Sequence, residues 1–373
     1  MPDLTTANPD PVFVTHPVFQ APAFGRFHPL SIGRHRTLVR LCEILGWLEE
    51  DCTAVCELPG RDVLERFHSA DYLETLEAAA TSGKASTAVR EKYGLGTAEC
   101  PLFDGLWDRA RATVGGSILA AQLAVGGARA FHPAGGTHHG RPDRASGFCY
   151  LNDPVFAIFT LLHSGMERVL YADLDAHHGD GVQSAFEPDR RVFTVSIHEA
   201  GRWPNTGTIE DRGRGNAINL PVPRGFNDSE LALIMREAVI PVAKSWSPQA
   251  VVVTCGADAL KGDPLSGLEL SNGALCAAAM ALVHLTPHAV LLGGGGYNPW
   301  TTARAWARLW GEVSGRPPAD MLPGDAQELM RRLNCDLVDD EDIPPFWLDA
   351  LNDPANEGPV RPEIREIIRK ATA

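Results

Sequence analysis

The stretch Leu170-Tyr-Ala-Asp173-Leu-Asp175-Ala-His177-His178-Gly-Asp180-Gly181 holds the densest chemistry in the chain. Asp173, Asp175 and His177 alternate. At the carboxyl end of a β-strand, alternation puts all three side chains on one face. Two carboxylates and an imidazole on one face attract a divalent cation. His178 then points the other way, and the Gly-Asp-Gly turn can aim Asp180 back at the same spot. A lone D-x-D reads as a polar strand end with unrelated salt bridges. Six polar or flexible positions directly after an apolar run point instead to metal binding, given the right context.

Three further segments supply that context. His132-Pro-Ala-Gly-Gly-Thr137-His138-His139 follows the short apolar strand at residues 128–131. Cys255-Gly-Ala-Asp258 follows the β-branched run 250–254, and Gly293-Gly-Gly-Gly296-Tyr297 follows the apolar run 289–292. Asp175, His177 and Asp258 make a three-ligand set that leaves a position for water, as a catalytic zinc requires. Such an ion polarises an amide carbonyl and acidifies its water. His138 and His139 supply a general base and a general acid. Asp173 and Asp180 can each accept a hydrogen bond from an imidazole, and Tyr297 can donate to a developing oxyanion. These are the parts of amide hydrolysis. Taken singly each has a bland reading: paired histidines are usually incidental, Asp258 could cap a helix, and the glycine loop lacks a Walker lysine. Their joint fall at strand ends lifts the set above its members.

The elements that must position them follow from periodicity. Apolar strands are expected at 168–172, 191–198, 250–254 and 289–292, with Phe13-Val14 starting an edge strand. Helices are expected near 34–45, 104–125, 154–163, 231–243, 274–285 and 301–310, and Ser69 or Asp71 caps another. Alternating strands and helices argue for an α/β protein with a parallel sheet covered on both faces, whose ligands bind outside the carboxyl ends of the strands. Residues 1–12 read as a flexible N-terminal tail and 13–373 as a single domain, with 311–373 a Pro-rich C-terminal extension packed on it. Arg34 and Arg36 read as surface cations.

Composition narrows the partners. Of 373 residues, 44% are hydrophobic and 21% charged, the pattern of a globular protein. The net charge of −14 and the lack of a basic block exclude nucleic acid as a partner. No run is apolar enough to span a membrane, and the start lacks a signal-peptide pattern. Eight cysteines then imply free thiols in a reduced, cytoplasmic setting.

The motifs Gly135-Gly-Thr-His138-His139, Ala145-Ser-Gly147-Phe148-Cys-Tyr-Leu-Asn-Asp153, Tyr171 to Val182, Cys255 to Asp258 and Gly293 to Tyr297 resemble the histone deacetylase superfamily, in particular its bacterial acetoin-utilisation-type branch. The resemblance runs over about residues 13–310. It implies the arginase/deacetylase fold with a central eight-stranded parallel sheet, and a metal-dependent deacetylase. The substrate would be the acetylated, or short-acylated, lysine side chain of a protein. Small acetylated amines such as acetylpolyamines are the alternative, and a non-catalytic acyl-lysine binder is a third reading. It further implies Asp175, His177 and Asp258 as ligands of zinc, with ferrous iron as the other option. His139 paired with Asp180 would be the base and then the acid, His138 paired with Asp173 its electrostatic partner, and Tyr297 the carbonyl donor. Gly147, Phe148 and Trp203 would line a tunnel for the alkyl stem, with Glu99 and Leu265 at its rim. A structural potassium would be held by Asp173, Asp175, His177, Ser196 and Ile197, and Arg34 would face an internal cavity. Two departures stand out: Glu99 replaces the usual Asp, putting peptide-backbone recognition in question, and Thr137 replaces a bulky apolar residue, suggesting a roomier or wetter cavity. The oligomeric state is left open.

Overall fold

The β-branched runs form the middle of the molecule. In the computed structural model, which describes residues 10–25, 27–316 and 320–373, eight parallel strands make one sheet. They are β1 (Val12–Thr15), β2 (Thr53–Val55), β3 (Ala130–His132), β4 (Val169–Asp173), β5 (Val192–Glu199), β6 (Ala217–Val222), β7 (Ala250–Thr254) and β8 (His288–Leu292). Their spatial order is β2-β1-β3-β8-β7-β4-β5-β6. Every residue of β4 and β7 is buried, because helices cover both faces and the strands need no polar side.

Alternation splits each strand between two cores. Leu170 and Ala172 of β4 join Leu38, Leu275, Trp306 and Trp310 on one face. Val169 and Tyr171 join Ala120, Ala124, Val155 and Ile158 on the other. The first face carries helices Arg34–Ile44, Asn272–Val283 and Pro299–Val313; the second carries Leu106–Val125 and Asp153–His163. Ser69 caps the helix Ala70–Ser82 by accepting the Tyr72 amide.

Two expectations are corrected, and two strands are new. Phe13-Val14 is not at the edge: β1 pairs with both β2 and β3. The true edge, β2, is too short to show a periodic pattern. The other edge, β6, is also new; Asn219 and Pro221 break its apolar signal, and an edge strand tolerates the missing N–H of proline. The helix expected over 231–243 runs as Asp228–Ile234, a π-helical turn at Met235–Val239, then Ile240–Trp246. Pro241 has no N–H to give, and the wide turn lies beside it.

Residues 1–9 of the expected tail lie outside the described residues, and Val12 already belongs to β1. The C-terminal segment is tied back by ion pairs and backbone bonds. Arg361 grips Glu230 through Nη2 at 2.6 Å, Arg304 meets Asp353 at 2.7 Å, and Arg212 donates to the Ala371 carbonyl at 2.9 Å. Among the described residues no helix is long and apolar enough to cross a membrane.

Candidate active site

The four chemistry-bearing loops leave adjacent strands: His138-His139 follows β3, Tyr297 follows β8, Asp258 follows β7 and Asp173–Asp180 follows β4. Parallel pairing puts all four carboxyl ends on one rim. Alternation within a strand does not carry the acidic stretch as far as the sequence suggests, since β4 stops at Asp173. A different device keeps the side chains together. Asp173 Oδ1 accepts the Asp175 amide at 3.1 Å, and Asp175 Oδ1 accepts the His177 amide at 2.9 Å. Each carboxylate thus catches the backbone two residues on, an Asx-type turn repeated. His178 points away, to Thr206 and Gln183.

Asp175, His177 and Asp258 meet with one ligating atom each inside a 4.8 Å span. His177 Nδ1 lies 3.2 Å from Asp175 Oδ1 and 2.9 Å from Asp258 Oδ2. Both carboxylates are essentially inaccessible to water. Burial, then the Asp175 charge, pushes the Asp258 carboxyl up to about 6. Burial lowers His177, but its bonds to Asp175 and Asp258 outweigh this and lift it to about 10. Two buried carboxylates and an imidazole converging this closely fit a divalent cation, and one nitrogen with two carboxylates suits zinc or ferrous iron. The glycine loop lets β8 approach. Gly295 donates to Asp175 Oδ2 at 2.6 Å, and a Cβ there would run into the Asp258 carboxylate.

Two imidazoles stand beside this set. His138 Nδ1 is 2.6 Å from Asp173 Oδ2, and His139 Nδ1 is 2.7 Å from Asp180 Oδ1. Each carboxylate holds the proton on Nδ1 and leaves Nε2 for the site. Tyr297 is buried at the same place, its ring 5.7 Å from Phe148 and 6.4 Å from His177. Burial, then Asp258 and Asp175, holds its pKa well above the usual value, so the phenol keeps its proton.

An open cavity of about 540 Å³ leads to these groups, lined by Glu99, His139, Gly147, Phe148, His177, Glu199, Arg202, Trp203, Leu265 and Tyr297. All five residues expected to bind substrate therefore line one opening. Trp203 packs 4.6 Å from His139, and a Cβ on Gly147 would strike both rings. Phe148 holds a left-handed backbone at φ 66°, a conformation that costs a bulky residue on the order of 1–3 kcal/mol. Glu99 Oε1 accepts the Gly147 amide at 2.6 Å.

A second cavity of about 170 Å³ is bordered by Arg34, Thr137, Phe148 and Trp306. Arg34 is not the surface cation its spacing suggested. It donates to the carbonyls of Gly294 and Gly296 at 2.9 and 3.1 Å, and lies 5.1 Å over Trp306. Arg36 is exposed. Thr137 turns its hydroxyl onto the Leu151 carbonyl (2.6 Å) and Asp153. Ser196 and Ile197 are buried on β5, and Ser196 is register neighbour to Asp173.

Several participants were missed. Tyr171 donates to Asp173 Oδ2 at 2.7 Å, and strand alternation alone could have found it. Arg141 clamps the second oxygen of Asp180, and Asp153 collects the Gly136 and Thr137 amides under the histidine pair. Neither has a spacing signal, because both act across loops.

A doubly covered parallel sheet with an acid–imidazole donor set at its rim defines the arginase/deacetylase class. Residues 28–313 match the histone deacetylase domain. The chain is 34% identical to the acetoin utilization protein AcuC of Bacillus subtilis, over 97% of this chain and 94% of that one. It is 35% identical to histone deacetylase 8 of Xenopus tropicalis, over 79% and 81%. The crystal structure of a histone deacetylase homologue from Aquifex aeolicus superposes with a TM-score of 0.92 at 34% identity, covering 97% of this chain and 99% of that one. The chain belongs to the histone deacetylase family and is a deacetylase.

Proposed function

We propose that this deacetylase removes acetyl or similarly short acyl groups from lysine side chains of proteins. What carries the reading is the convergence of His139, Tyr297 and the Asp175–His177–Asp258 set on one opening walled by Gly147, Phe148 and Trp203. That slot suits an unbranched alkyl stem with an amide at its end. A divalent ion, zinc or ferrous iron, would when bound supply Lewis-acid polarisation of the acyl carbonyl and acidify a water. The rest falls to the side chains. Nε2 of His139 takes the proton of the attacking water and returns it to the leaving amine, with Asp180 fixing the ring. Tyr297 donates to the oxyanion. His138, paired with Asp173, places positive charge beside the developing negative charge. A structural potassium is assigned to Asp173, the carbonyls of Asp175, His177 and Ile197, and the Ser196 hydroxyl, supported by the Asp173–Ser196 register. Residues 13–373 act as one unit, and the eight free thiols favour the cytoplasm.

One observation favours a second reading, a small acetylated amine such as an acetylpolyamine. Glu99 spends one oxygen on Gly147, which weakens its grip on a peptide backbone and leaves its charge for a distal ammonium. Rates on an acetyl-lysine peptide and on acetylated spermidine, measured side by side with chelator controls, separate the two. Turnover of the polyamine alone would overturn the protein-lysine reading.

A further inference from the structure

We propose that Asp263 is a positioning residue for Tyr297, bracketing the tyrosine to the tunnel rim, and that the C-terminal extension clamps this bracket. The proposal rests on the reading of Tyr297 as the carbonyl donor.

Tyr297 sits at the end of four glycines, two of them at φ 118° and 142°. Such a loop has little stiffness of its own, yet an oxyanion donor must be held to within a fraction of an ångström. Stiffness comes from across the rim. Asp263 is buried, and its Oδ2 accepts the Tyr297 amide at 2.7 Å while its Oδ1 accepts the Leu265 amide at 2.9 Å. One rung lower, Asn298 Nδ2 donates to the Gly262 carbonyl at 2.9 Å. Asn298 also starts the helix Pro299–Val313 by accepting the Trp300 amide at 3.0 Å. Two consecutive residues of the tyrosine loop are thus tied to two consecutive residues of the rim turn.

Both ends of the bracket are anchored. The Leu265 carbonyl accepts Arg202 Nη1 at 2.7 Å; Arg202 pairs with Glu199, and Glu199 accepts the Gly267 amide at 2.7 Å. On the far side Trp347, from the extension beyond the family domain, lies so close to Gly262 that a Cβ there would be 2.7 Å from its ring. Trp347 stacks in turn on Trp300 at 6.2 Å, and Cys335 of the same extension donates to the Tyr297 carbonyl at 3.7 Å.

The residue type fits the task. A carboxylate offers two acceptor oxygens and an amide only one, and here each oxygen serves a different loop. The fold keeps an acid here although burial and the Asp258 charge push its pKa up to about 7.

The test compares four forms of the full-length, metal-loaded protein on an acetyl-lysine peptide: wild type, Tyr297→Phe, Asp263→Asn and the double variant. Metal content and thermal unfolding are recorded for each. Tyr297→Phe should lower kcat by roughly two to three orders of magnitude. Asp263→Asn should lower kcat roughly tenfold or more, with metal content unchanged and KM within about twofold. Added to Tyr297→Phe it should cost less than about twofold, because the group it positions has gone. Trp347→Phe leaves the carboxylate in place and loosens only the clamp. Its smaller loss should likewise vanish in the Tyr297→Phe background, and it carries the comparison if Asp263→Asn does not fold. Equal losses in both backgrounds, or no loss in either, would overturn the proposal while sparing the role of Tyr297. Wild-type turnover in Tyr297→Phe would overturn both.

Discussion

His138 and His139 lie with ring centroids 3.9 Å apart, yet their surroundings push their pKa values in opposite directions. Burial pulls His138 down, but Asp173 and Asp175 outweigh it and carry it up to about 9. Burial, then the His138 charge, drives His139 down to about 3, against the pull of Asp180. One neighbour favours the cationic form and the other the neutral acceptor, a division of labour set by how much carboxylate charge each buried ring faces. His139→Ala should therefore abolish deacetylation while leaving metal content at the wild-type level. Loss of the metal in that variant, read by elemental analysis, would place His139 among the ligands instead.

Arg141 holds the oxygen of Asp180 that His139 does not use. Arg141→Ala should leave Asp180 less firmly oriented and lower kcat by roughly tenfold, with little change in KM. Kinetics on an acetyl-lysine peptide check this; an unchanged kcat would show that the His139 contact alone suffices.

The three-residue donor set predicts a plain metal dependence. Dialysis against a chelator should remove activity, and zinc or ferrous iron added back should restore it. Asp258→Asn keeps the shape but removes a ligating charge, so it should weaken metal binding by more than the roughly 10- to 100-fold that losing an outer partner of a ligand costs. Activity that survives full metal removal would contradict the assignment of Asp175, His177 and Asp258.

His68 offers a pH test away from the chemistry. Its Nδ1 donates to the Arg141 carbonyl at 2.9 Å and its Nε2 accepts the Asn152 amide at 3.1 Å, so the ring is built in as neutral. Burial lowers its pKa from 6.5 to about 3. The unfolded chain takes up a proton below its ordinary value while the folded chain refuses it. Stability from this residue is complete above about pH 6.5 and falls by about 1.4 kcal/mol per pH unit down to about pH 3. Glutamine can mimic the donor and acceptor without titrating. Denaturant melts at pH 7 and pH 5 should show a smaller acid loss for His68→Gln than for wild type; parallel losses would remove His68 from the acid response.

Much of this site was legible because its chemistry is written into short, local runs. Asp173, Asp175, His177 and Asp180 occur within eight positions, and the apolar runs before His138, Asp258 and Tyr297 marked them as strand ends. What stayed hidden acts across distance. Arg141, Asp153 and Asp263 meet their partners only through loop geometry, which no periodicity reports. Spacing alone made Arg34 look like a surface cation, because its partners, the carbonyls of Gly294 and Gly296, are 260 and 262 residues away; only the family resemblance pointed it toward a cavity. The short edge β2 and the proline-bearing β6 lacked the repeated apolar pattern from which strands are recognised.

Trp203 is 39% exposed at the mouth of the opening, whereas Trp47, Trp300, Trp306, Trp310 and Trp347 are buried. Its indole is thus a built-in optical reporter: a molecule seated beside it strips away solvent and shifts its emission to the blue, whether or not any bond is broken. Occupancy can then be titrated by fluorescence on a form that does not turn over, with Trp203→Phe as the dark control.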